Sequence, residues 1–207
     1  MLPIPRLLAI SDRTTRADFS LRAWEAWCAE LATAGVDALQ IREPGRGDGE
    51  ILDLCRAARR VFPAPGVLLV NRRFDIALAA GADGVHLPAS GLPVAIVRAA
   101  SGQRLLVGRS THRLAEIEAA RDSGADFVLF GPVFDTPSKR GRIPPHGLDA
   151  LARATALGIP VLAVGGVDAS RLAALFAAGA AGGAAIRAFA DGIAAAAMVA
   201  SAREAAP

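Results

Sequence analysis

One short phrase recurs along the chain, and it limits the possible folds more than any other feature. Three close copies each lead into an apolar run: Ala34–Asp37 before Ala38–Arg42, Ala80–Asp83 before Gly84–Leu87, and Ser123–Asp126 before Phe127–Gly131. A weaker copy, Leu157–Pro160, leads into Val161–Gly166. Each glycine suits the left-handed cap that ends a helix, and each apolar run suits a strand buried on both faces. Repeated helix–strand units predict a parallel sheet, and many of them predict a barrel with its site at the C-terminal strand ends.

The rest of the chain continues this alternation. The predicted strands are Leu7–Ser11, Ala38–Arg42, Val67–Asn71, Gly84–Leu87, Leu105–Gly108, Phe127–Gly131, Val161–Val164 and Gly183–Ile186. The predicted helices are Leu21–Thr33, Glu50–Arg60, Phe74–Ala80, Pro93–Ala100, Leu114–Ser123, Leu148–Leu157, Ser170–Ala178 and Gly192–Arg203. The predicted N-caps are Ser20, Asp48, Asp168 and either Ser110 or Thr111.

This order predicts an α/β protein, a (β/α)8 TIM barrel that forms one domain over residues 1–207. An open doubly wound sheet is the alternative, but no glycine-rich dinucleotide fingerprint follows the first strand.

Composition excludes several classes of protein. With 53% hydrophobic and 21% charged residues in a chain of 207, we expect a globular domain with a full core. The net charge is +3 and no basic stripe is interleaved with aromatic residues, which argues against nucleic-acid binding. Cys28 and Cys55 have no metal-type spacing, so we expect reduced core thiols. The absence of a signal peptide or a membrane-length apolar stretch predicts a cytoplasmic location.

Polar side chains follow the apolar strands, where burial would be costly unless they line a wet mouth. The candidate walls of a basic, anion-binding pocket are Arg42, Arg72, Arg73, Arg109, Lys139 and Arg187. Near the last two strands, Gly165-Gly166 and Gly182-Gly183 allow backbone N–H groups to approach a phosphate. Structural alternatives stay open: an Arg42–Glu43 ion pair, Asn71 bonding loop backbone, packing or capping roles for His86 and His112, and a simple turn at Gly165-Gly166.

These strand ends resemble the thiamine-phosphate synthase/TenI superfamily along essentially the whole chain. The phrases that carry the resemblance are Leu39–Glu43, Asn71–Leu78, Gly81–Leu87, Gly108–His112, Gly131–Thr136 and Pro160–Gly166. The resemblance implies a barrel that binds thiazole phosphates in thiamine biosynthesis. The implied partner is a small-molecule thiazole phosphate, without nucleic acid or membrane, and a homodimer is left open.

The synthases of this superfamily join a pyrimidine pyrophosphate to a thiazole phosphate and need Mg²⁺. The residues that match synthase ligand positions are Gln40, Arg42, Asn71, Ser110, Thr136, Ser138 and Lys139. The positions of the two metal carboxylates hold Arg72 and the stretch Pro88–Gly91, and Pro44 replaces a lysine. Arg72 is therefore a candidate anion clamp in place of the metal. No metal ligand is predicted, and Mg²⁺ is expected only if the chain is a synthase.

The TenI branch of this superfamily isomerises a thiazole without a metal. Its sequences are similar to this chain at Gly108–Ser110 and Val128–Gly131. Its catalytic histidine position holds Pro132 here, so the candidate acid–base group is His112, with His86 and His146 as the other imidazoles. These residues favour an enzyme, a thiazole tautomerase. His112 is the predicted catalytic residue, and the predicted phosphate site consists of Gly165, Gly166 and Arg187. The alternatives are a thiamine-phosphate synthase and a non-catalytic thiazole phosphate-binding or regulatory protein.

Overall fold

A computed structural model of the chain describes residues 3–15, 18–136 and 144–205. Eight parallel strands pair in chain order, and the eighth pairs with the first to close a barrel. The strands are β1 (Leu7–Ile10), β2 (Ala38–Ile41), β3 (Val67–Asn71), β4 (Gly84–Leu87), β5 (Leu106–Thr111), β6 (Phe127–Phe130), β7 (Val161–Val164) and β8 (Gly182–Ala185). The predicted (β/α)8 barrel is confirmed.

A helix follows every strand and packs outside the barrel. The helices are α1 (Leu21–Ala34), α2 (Asp48–Val61), α3 (Phe74–Ala80), α4 (Val94–Ser101), α5 (Leu114–Asp122), α6 (Gly147–Thr155), α7 (Leu172–Ala177) and α8 (Gly192–Glu204). Short 3-10 turns lie at Arg13–Thr15, Ala169–Arg171 and Arg187–Phe189. The predicted helix Ser170–Ala178 is therefore a 3-10 turn followed by α7.

Alternation along each strand separates two apolar layers. On β3, for example, Val67 and Leu69 belong to the core inside the barrel, whereas Leu68 and Val70 pack outward against the helices. Successive strand residues point to opposite faces, so the position of a residue in its strand decides whether it faces the barrel interior. Inside, the Phe127 ring fills the space next to Gly108, where a Cβ would lie 2.3 Å from the ring.

The aspartates of the recurring phrase tie neighbouring strands together. Asp37, Asp83 and Asp126 each accept a hydrogen bond from the backbone N–H of Leu7, Leu68 and Val107, respectively, with N···O distances of 2.6–2.7 Å. Each carboxylate lies just before one strand and holds the beginning of the strand before it. The repeat is thus a structural device at the N-terminal end of the barrel, opposite the predicted site.

The predicted caps have mixed outcomes. The Ser20 hydroxyl accepts from the Ala23 backbone N–H and caps α1 as predicted. Asp48 is the first residue of α2, and Gly47 occupies the cap position, where the Glu50 carboxylate accepts its N–H. Asp168 precedes a 3-10 turn, and its carboxylate accepts from the Ser170 hydroxyl instead of capping the turn.

The prediction for Ser110 or Thr111 as a cap is wrong, because β5 runs three residues beyond its predicted end at Gly108 and includes both. Pairing with Leu129 and Phe130 of β6 keeps this segment extended.

Cys28 and Cys55 are buried free thiols, as predicted. Burial raises the pKa of the Cys55 thiol to about 12, so it is inert near neutral pH. None of the helices in the described ranges has both the length and the apolar character needed to cross a membrane.

Candidate functional site

A cavity of about 520 Å³ opens inside the C-terminal end of the barrel, and we call it the central cavity. Its floor is polar because four successive strands each place one inward-facing polar residue close to the C-terminal end of the strand. These residues are Gln40 on β2, Asn71 on β3, His86 on β4 and Ser110 on β5. The register joins Asn71 to His86 directly across the sheet. Four of the predicted strand-end residues are thus brought together as the sequence suggests.

His86 is a neutral histidine in this floor. Its side chain is 4% exposed, and burial, followed by the charges of Arg109 and Arg42, lowers its pKa to about 3. The Ser110 hydroxyl lies 3.2 Å from Nε2, while Nδ1 has no partner among the described residues. A neutral imidazole offers one donor and one acceptor, so His86 can bond an uncharged ligand group.

Gln40 carries a second unpartnered polar atom. The residue is 1% exposed, and its Nε2 amide has no hydrogen-bond partner in the described part of the chain. Buried amides are nearly always bonded in folded proteins, so an open donor next to a cavity indicates a place for a ligand atom or water. The central cavity therefore offers uncharged hydrogen-bonding groups at its floor.

A second cavity, of about 690 Å³, adjoins the first on the side of β7 and β8, and we call it the Arg187 cavity. Gly165, Gly166 and Arg187 line it, as predicted. The Arg187 guanidinium donates to the Thr136 hydroxyl over 3.1 Å and so bridges the loops after β8 and β6. The two cavities share wall residues, namely Asp12, Thr136, Val164, Gly165 and Ile186.

The paired glycines after β7 are required by their surroundings. Gly165 and Gly166 have φ angles of 93° and 66°, in the left-handed region that favours glycine. A Cβ on Gly165 would lie 2.6 Å from the Pro132 side chain, and one on Gly166 would lie 2.7 Å from the Asp135 carbonyl oxygen. By contrast, Gly182 and Gly183 do not line either cavity. They pack against the backbone of Arg6 and the side chain of Leu172, so their predicted role at an anion is wrong.

The predicted basic wall is only partly present. Arg73 pairs with Asp48 and Asp75 away from both cavities, and Arg109 donates to the carbonyls of Leu92 and Ala89 over 2.7 and 2.9 Å. Arg72 is exposed, has φ 67°, and does not line either cavity. Ser138 and Lys139 lie outside the described residues.

Arg42 lines the central cavity, and its partner is Asp12 instead of Glu43, the ion-pair alternative left open by the sequence. The Arg42 guanidinium lies 3.3 Å from the Asp12 carboxylate, while Glu43 accepts from the Arg13 backbone N–H. Burial opposes ionisation of Asp12, but hydrogen bonds from Thr14 and the charge of Arg42 outweigh it and lower the pKa of this carboxyl.

The described residues around the two cavities carry balanced charge. Three aspartates face three arginines: Asp12, Asp135 and Asp168 against Arg42, Arg171 and Arg187. Asp12 pairs with Arg42 and Asp168 with Arg171. Within the described ranges Arg187 forms no ion pair, and its guanidinium bonds the uncharged Thr136 hydroxyl. Arg187 is therefore the mouth cation best placed to bind an anionic ligand.

His112, the predicted catalytic residue, lines the central cavity where β5 ends. Its Nδ1 lies 2.5 Å from the Gly131 carbonyl oxygen. Its backbone N–H donates to the Glu116 carboxylate over 2.7 Å, which holds the junction between β5 and α5.

Asp12 and Arg171 lie at the mouth of the barrel but were not predicted as site residues. Asp12 follows β1 and could have been found by the strand-end rule that found Gln40. Arg171 bonds the Gly166 carbonyl and stacks on the Phe134 ring, contacts that leave no local pattern in the sequence.

The carboxylates present do not suit a divalent metal ion. Of the described residues that line the central cavity, only Asp12 has a carboxylate, and Arg42 and Thr14 already occupy it. In the described ranges no group of three histidine, cysteine, aspartate or glutamate side chains could hold a metal.

Comparisons of the sequence with known proteins indicate one family. A sequence model described as thiamine monophosphate synthase matches residues 7–189. The chain is 45% identical over 175 residues to a thiamine-phosphate synthase of Anaeromyxobacter dehalogenans, covering 83% of this chain and 79% of that one. It is 40% identical over 201 residues to a thiamine-phosphate synthase of Mycolicibacterium smegmatis, covering 86% and 84%.

A solved structure is also similar over nearly the full length. Thiamine phosphate pyrophosphorylase from Pyrococcus furiosus matches with a TM-score of 0.86 and 25% identity, covering 98% of this chain and 97% of that one. The two sequence relatives carry the synthase name, the solved structure carries the pyrophosphorylase name, and none of the three is named a tautomerase.

Proposed function

The chain belongs to the thiamine monophosphate synthase family, and we propose that it binds a thiazole phosphate at the barrel mouth and acts in thiamine biosynthesis. The observation that carries this proposal is the connection between the two cavities. One ligand can extend from the Arg187 cavity, where the guanidinium provides a cation for the phosphate, to the central cavity, where uncharged polar groups face a ring.

The chemistry of each cavity supports this orientation. A guanidinium offers several N–H donors to phosphate oxygens and stays charged at any physiological pH, which suits Arg187 to the phosphate. Neutral donors and acceptors suit ring heteroatoms, and Gln40, Asn71, His86 and Ser110 provide them. Arg42 and Thr136 lie at the boundary, where they can contact either end of the ligand.

Condensation to thiamine phosphate is the first candidate reaction, because the relatives that match most of the chain bear the synthase name. The two cavities, of about 520 and 690 Å³, have room for two substrates. The pyrimidine would bind at the floor of the central cavity and the thiazole phosphate beside Arg187.

Metal-free tautomerisation is the second candidate, and the occupied Asp12 carboxylate favours it. The described residues of the central cavity offer no free carboxylate oxygen, the ligand that Mg²⁺ prefers, whereas moving a proton needs only one positioned acid–base group. His112 at the edge of the central cavity is that group.

One set of assays separates the candidates. Isothermal titration with thiazole phosphate tests binding, and product analysis tests condensation in the presence of the pyrimidine pyrophosphate, with Mg²⁺ and with EDTA. An NMR time course with the non-aromatic thiazole tautomer tests isomerisation. Thiamine phosphate formation supports the first candidate, and aromatisation without metal supports the second. Binding without either product would indicate a carrier or regulator, and no binding would overturn the proposal.

A further inference from the structure

Two of the three histidines lie at one backbone carbonyl next to the central cavity. The His112 Nδ1 is 2.5 Å from the Gly131 oxygen. His146 also interacts with this oxygen, which favours the charged form of its ring. The two residues are 34 positions apart in the chain, and their contacts with Gly131 and Pro132 at the end of β6 bring them together.

His146 is anchored firmly to the end of β6. Its ring stacks on Phe130, with the ring centres 5.0 Å apart, and its backbone N–H donates to the Pro132 carbonyl over 2.8 Å. The next residue, Gly147, donates to the Val133 carbonyl over 3.0 Å. These contacts hold the Gly131–Val133 segment, and with it the carbonyl oxygen on which His112 rests.

The Gly131 carbonyl determines which nitrogen of His112 can react. A carbonyl oxygen only accepts, so Nδ1 must carry a proton in this contact. In the neutral ring Nε2 then has the lone pair, and it is the nitrogen left for a group in the central cavity.

We propose that His112 and His146 form an acid–base pair at the Gly131 carbonyl, in which His112 Nε2 exchanges a proton with the ligand and His146 is a positioning residue. This inference rests on the proposed binding of a thiazole phosphate and deepens its second candidate reaction. It goes beyond the predicted role of His112 by assigning the reacting nitrogen and a second histidine.

The proton transfer balances without any co-reactant. His112 Nε2 removes a proton from a ring carbon, and the C–H electron pair forms a ring double bond. The electrons of the exocyclic double bond then take the proton back from Nε2–H at the exocyclic carbon. The ligand is isomerised to the aromatic form, and His112 returns to its neutral state.

Charged groups also lie beside the pair. Glu116 lies next to His112 and accepts its backbone N–H, and Arg113 pairs with the same carboxylate. Burial, followed by the charge of His112, lowers the pKa of His146, which favours the neutral form of the His146 ring. The His146 Nε2 is buried and has no partner among the described residues, consistent with a neutral ring.

Side-chain ¹⁵N NMR tests the pair without any ligand, because the chain has three histidines and His86 does not titrate near neutrality. We expect wild-type His112 to be the Nδ1–H tautomer at pH 8. In His112→Gln, whose amide can still donate to Gly131, the pKa of His146 should rise because a neighbouring positive charge is removed. An Nε2–H tautomer of His112, or an unchanged His146 pKa, would overturn the pairing.

Kinetics test the roles. His112→Gln should slow tautomerisation by roughly 10²–10⁴-fold with little change in affinity for thiazole phosphate. His146→Phe keeps the stack on Phe130 and removes the nitrogens, and it should lower kcat by about 10–100-fold at unchanged KM, because the base is misaligned. Equal kcat in wild type and His146→Phe would overturn the positioning role. A wild-type protein that binds thiazole phosphate without tautomerising it would overturn the proton exchange, whereas a lack of binding would overturn the proposed function.

Discussion

The Asp126 carboxylate accepts a 2.6 Å hydrogen bond from the Val107 backbone N–H, and the Asp126 backbone N–H donates back to the Val107 carbonyl over 2.9 Å. The two residues therefore form a closed ring of hydrogen bonds between the beginnings of β5 and β6. Arg98 pairs with the same carboxylate and also donates to the Leu105 and Gly124 carbonyls. Asp83 and Leu68 repeat this arrangement, with Arg59 in the place of Arg98.

Removing this carboxylate should destabilise the barrel. We expect Asp126→Ala to lower the free energy of unfolding by about 1–3 kcal/mol, because a buried N–H loses its partner. Asp126→Asn should lose less, since its amide oxygen can still accept from Val107. Urea denaturation followed by circular dichroism measures both, with Asp122→Asn as the surface control, which should change stability by less than about 0.5 kcal/mol. Equal midpoints for Asp126→Ala and the control would contradict the role of the repeat.

The neutral His86 should make stability depend on pH. Its pKa is about 3 in the folded protein against 6.5 for an unperturbed histidine, so the unfolded chain binds the proton more readily. Its contribution to stability is complete above pH 6.5 and is lost as the pH falls towards 3, at up to about 1.4 kcal/mol per pH unit. His86→Asn should remove this slope between pH 6 and pH 4. Parallel stability curves for the two proteins would show that His86 is not buried in its neutral form.

Arg187 should dominate binding of the phosphate. Replacing it with Gln keeps a hydrogen-bond donor near Thr136 but removes the charge, and we expect the Kd for thiazole phosphate to rise about 10–100-fold. The affinity for the dephosphorylated thiazole alcohol should change little. Arg153→Gln, at an exposed position of α6, is the control. The same loss of affinity for both ligands would mean that Arg187 acts through folding and not through the phosphate.

Thiazole phosphate binding should not need a metal. The Arg187 cavity provides Arg187 and the loop glycines, and the described residues include no cluster of three histidine, cysteine, aspartate or glutamate side chains that could hold a metal. One titration is made in about 5 mM MgCl₂, to saturate any metal site, and the other in EDTA, to remove the metal. We expect the two Kd values to agree within about twofold. A loss of tenfold or more in EDTA would reveal a metal site at the mouth.

The glycine pair after β7 should tolerate no side chain. Gly166→Ala combines a positive φ with a Cβ only 2.7 Å from the Asp135 carbonyl oxygen, so the loop must move. Gly158→Ala is the matched control, because its φ is also positive, at 75°, but nothing lies within 4 Å of the added Cβ. We expect the control to lose about 1 kcal/mol of stability and Gly166→Ala to lose more, together with phosphate binding. Calorimetry of both variants, with and without thiazole phosphate, measures their stability and their binding of the ligand.

Much of the architecture was predictable because it depends on local patterns. The glycine and aspartate of each close copy of the repeat end a helix and precede a strand, and eight alternating strands and helices leave few choices besides a closed parallel barrel. Alternation within strands then brings the last polar residue of several strands to the same interior. This is why Gln40, Asn71 and Ser110 could be placed at the mouth without a structure.

Partnerships of long side chains were not predictable in this way. Arg73 and Arg109 lie at strand ends like Arg42, yet they bond Asp48, Asp75 and backbone carbonyls away from the cavities. An arginine reaches several possible partners, and the choice depends on packing around the whole barrel. The predicted basic pocket therefore has balanced charge among its described residues.

The sequence by itself determined the barrel, the end at which its site lies and the polar residues of the floor, because strand periodicity and helix ends are set by neighbouring residues. Only the tertiary structure decided that Arg42 faces Asp12 and that Arg187 reaches Thr136, 51 positions away. It also placed His146 beside His112. Such contacts arise between distant segments, and only the closed barrel brings those segments within hydrogen-bonding distance.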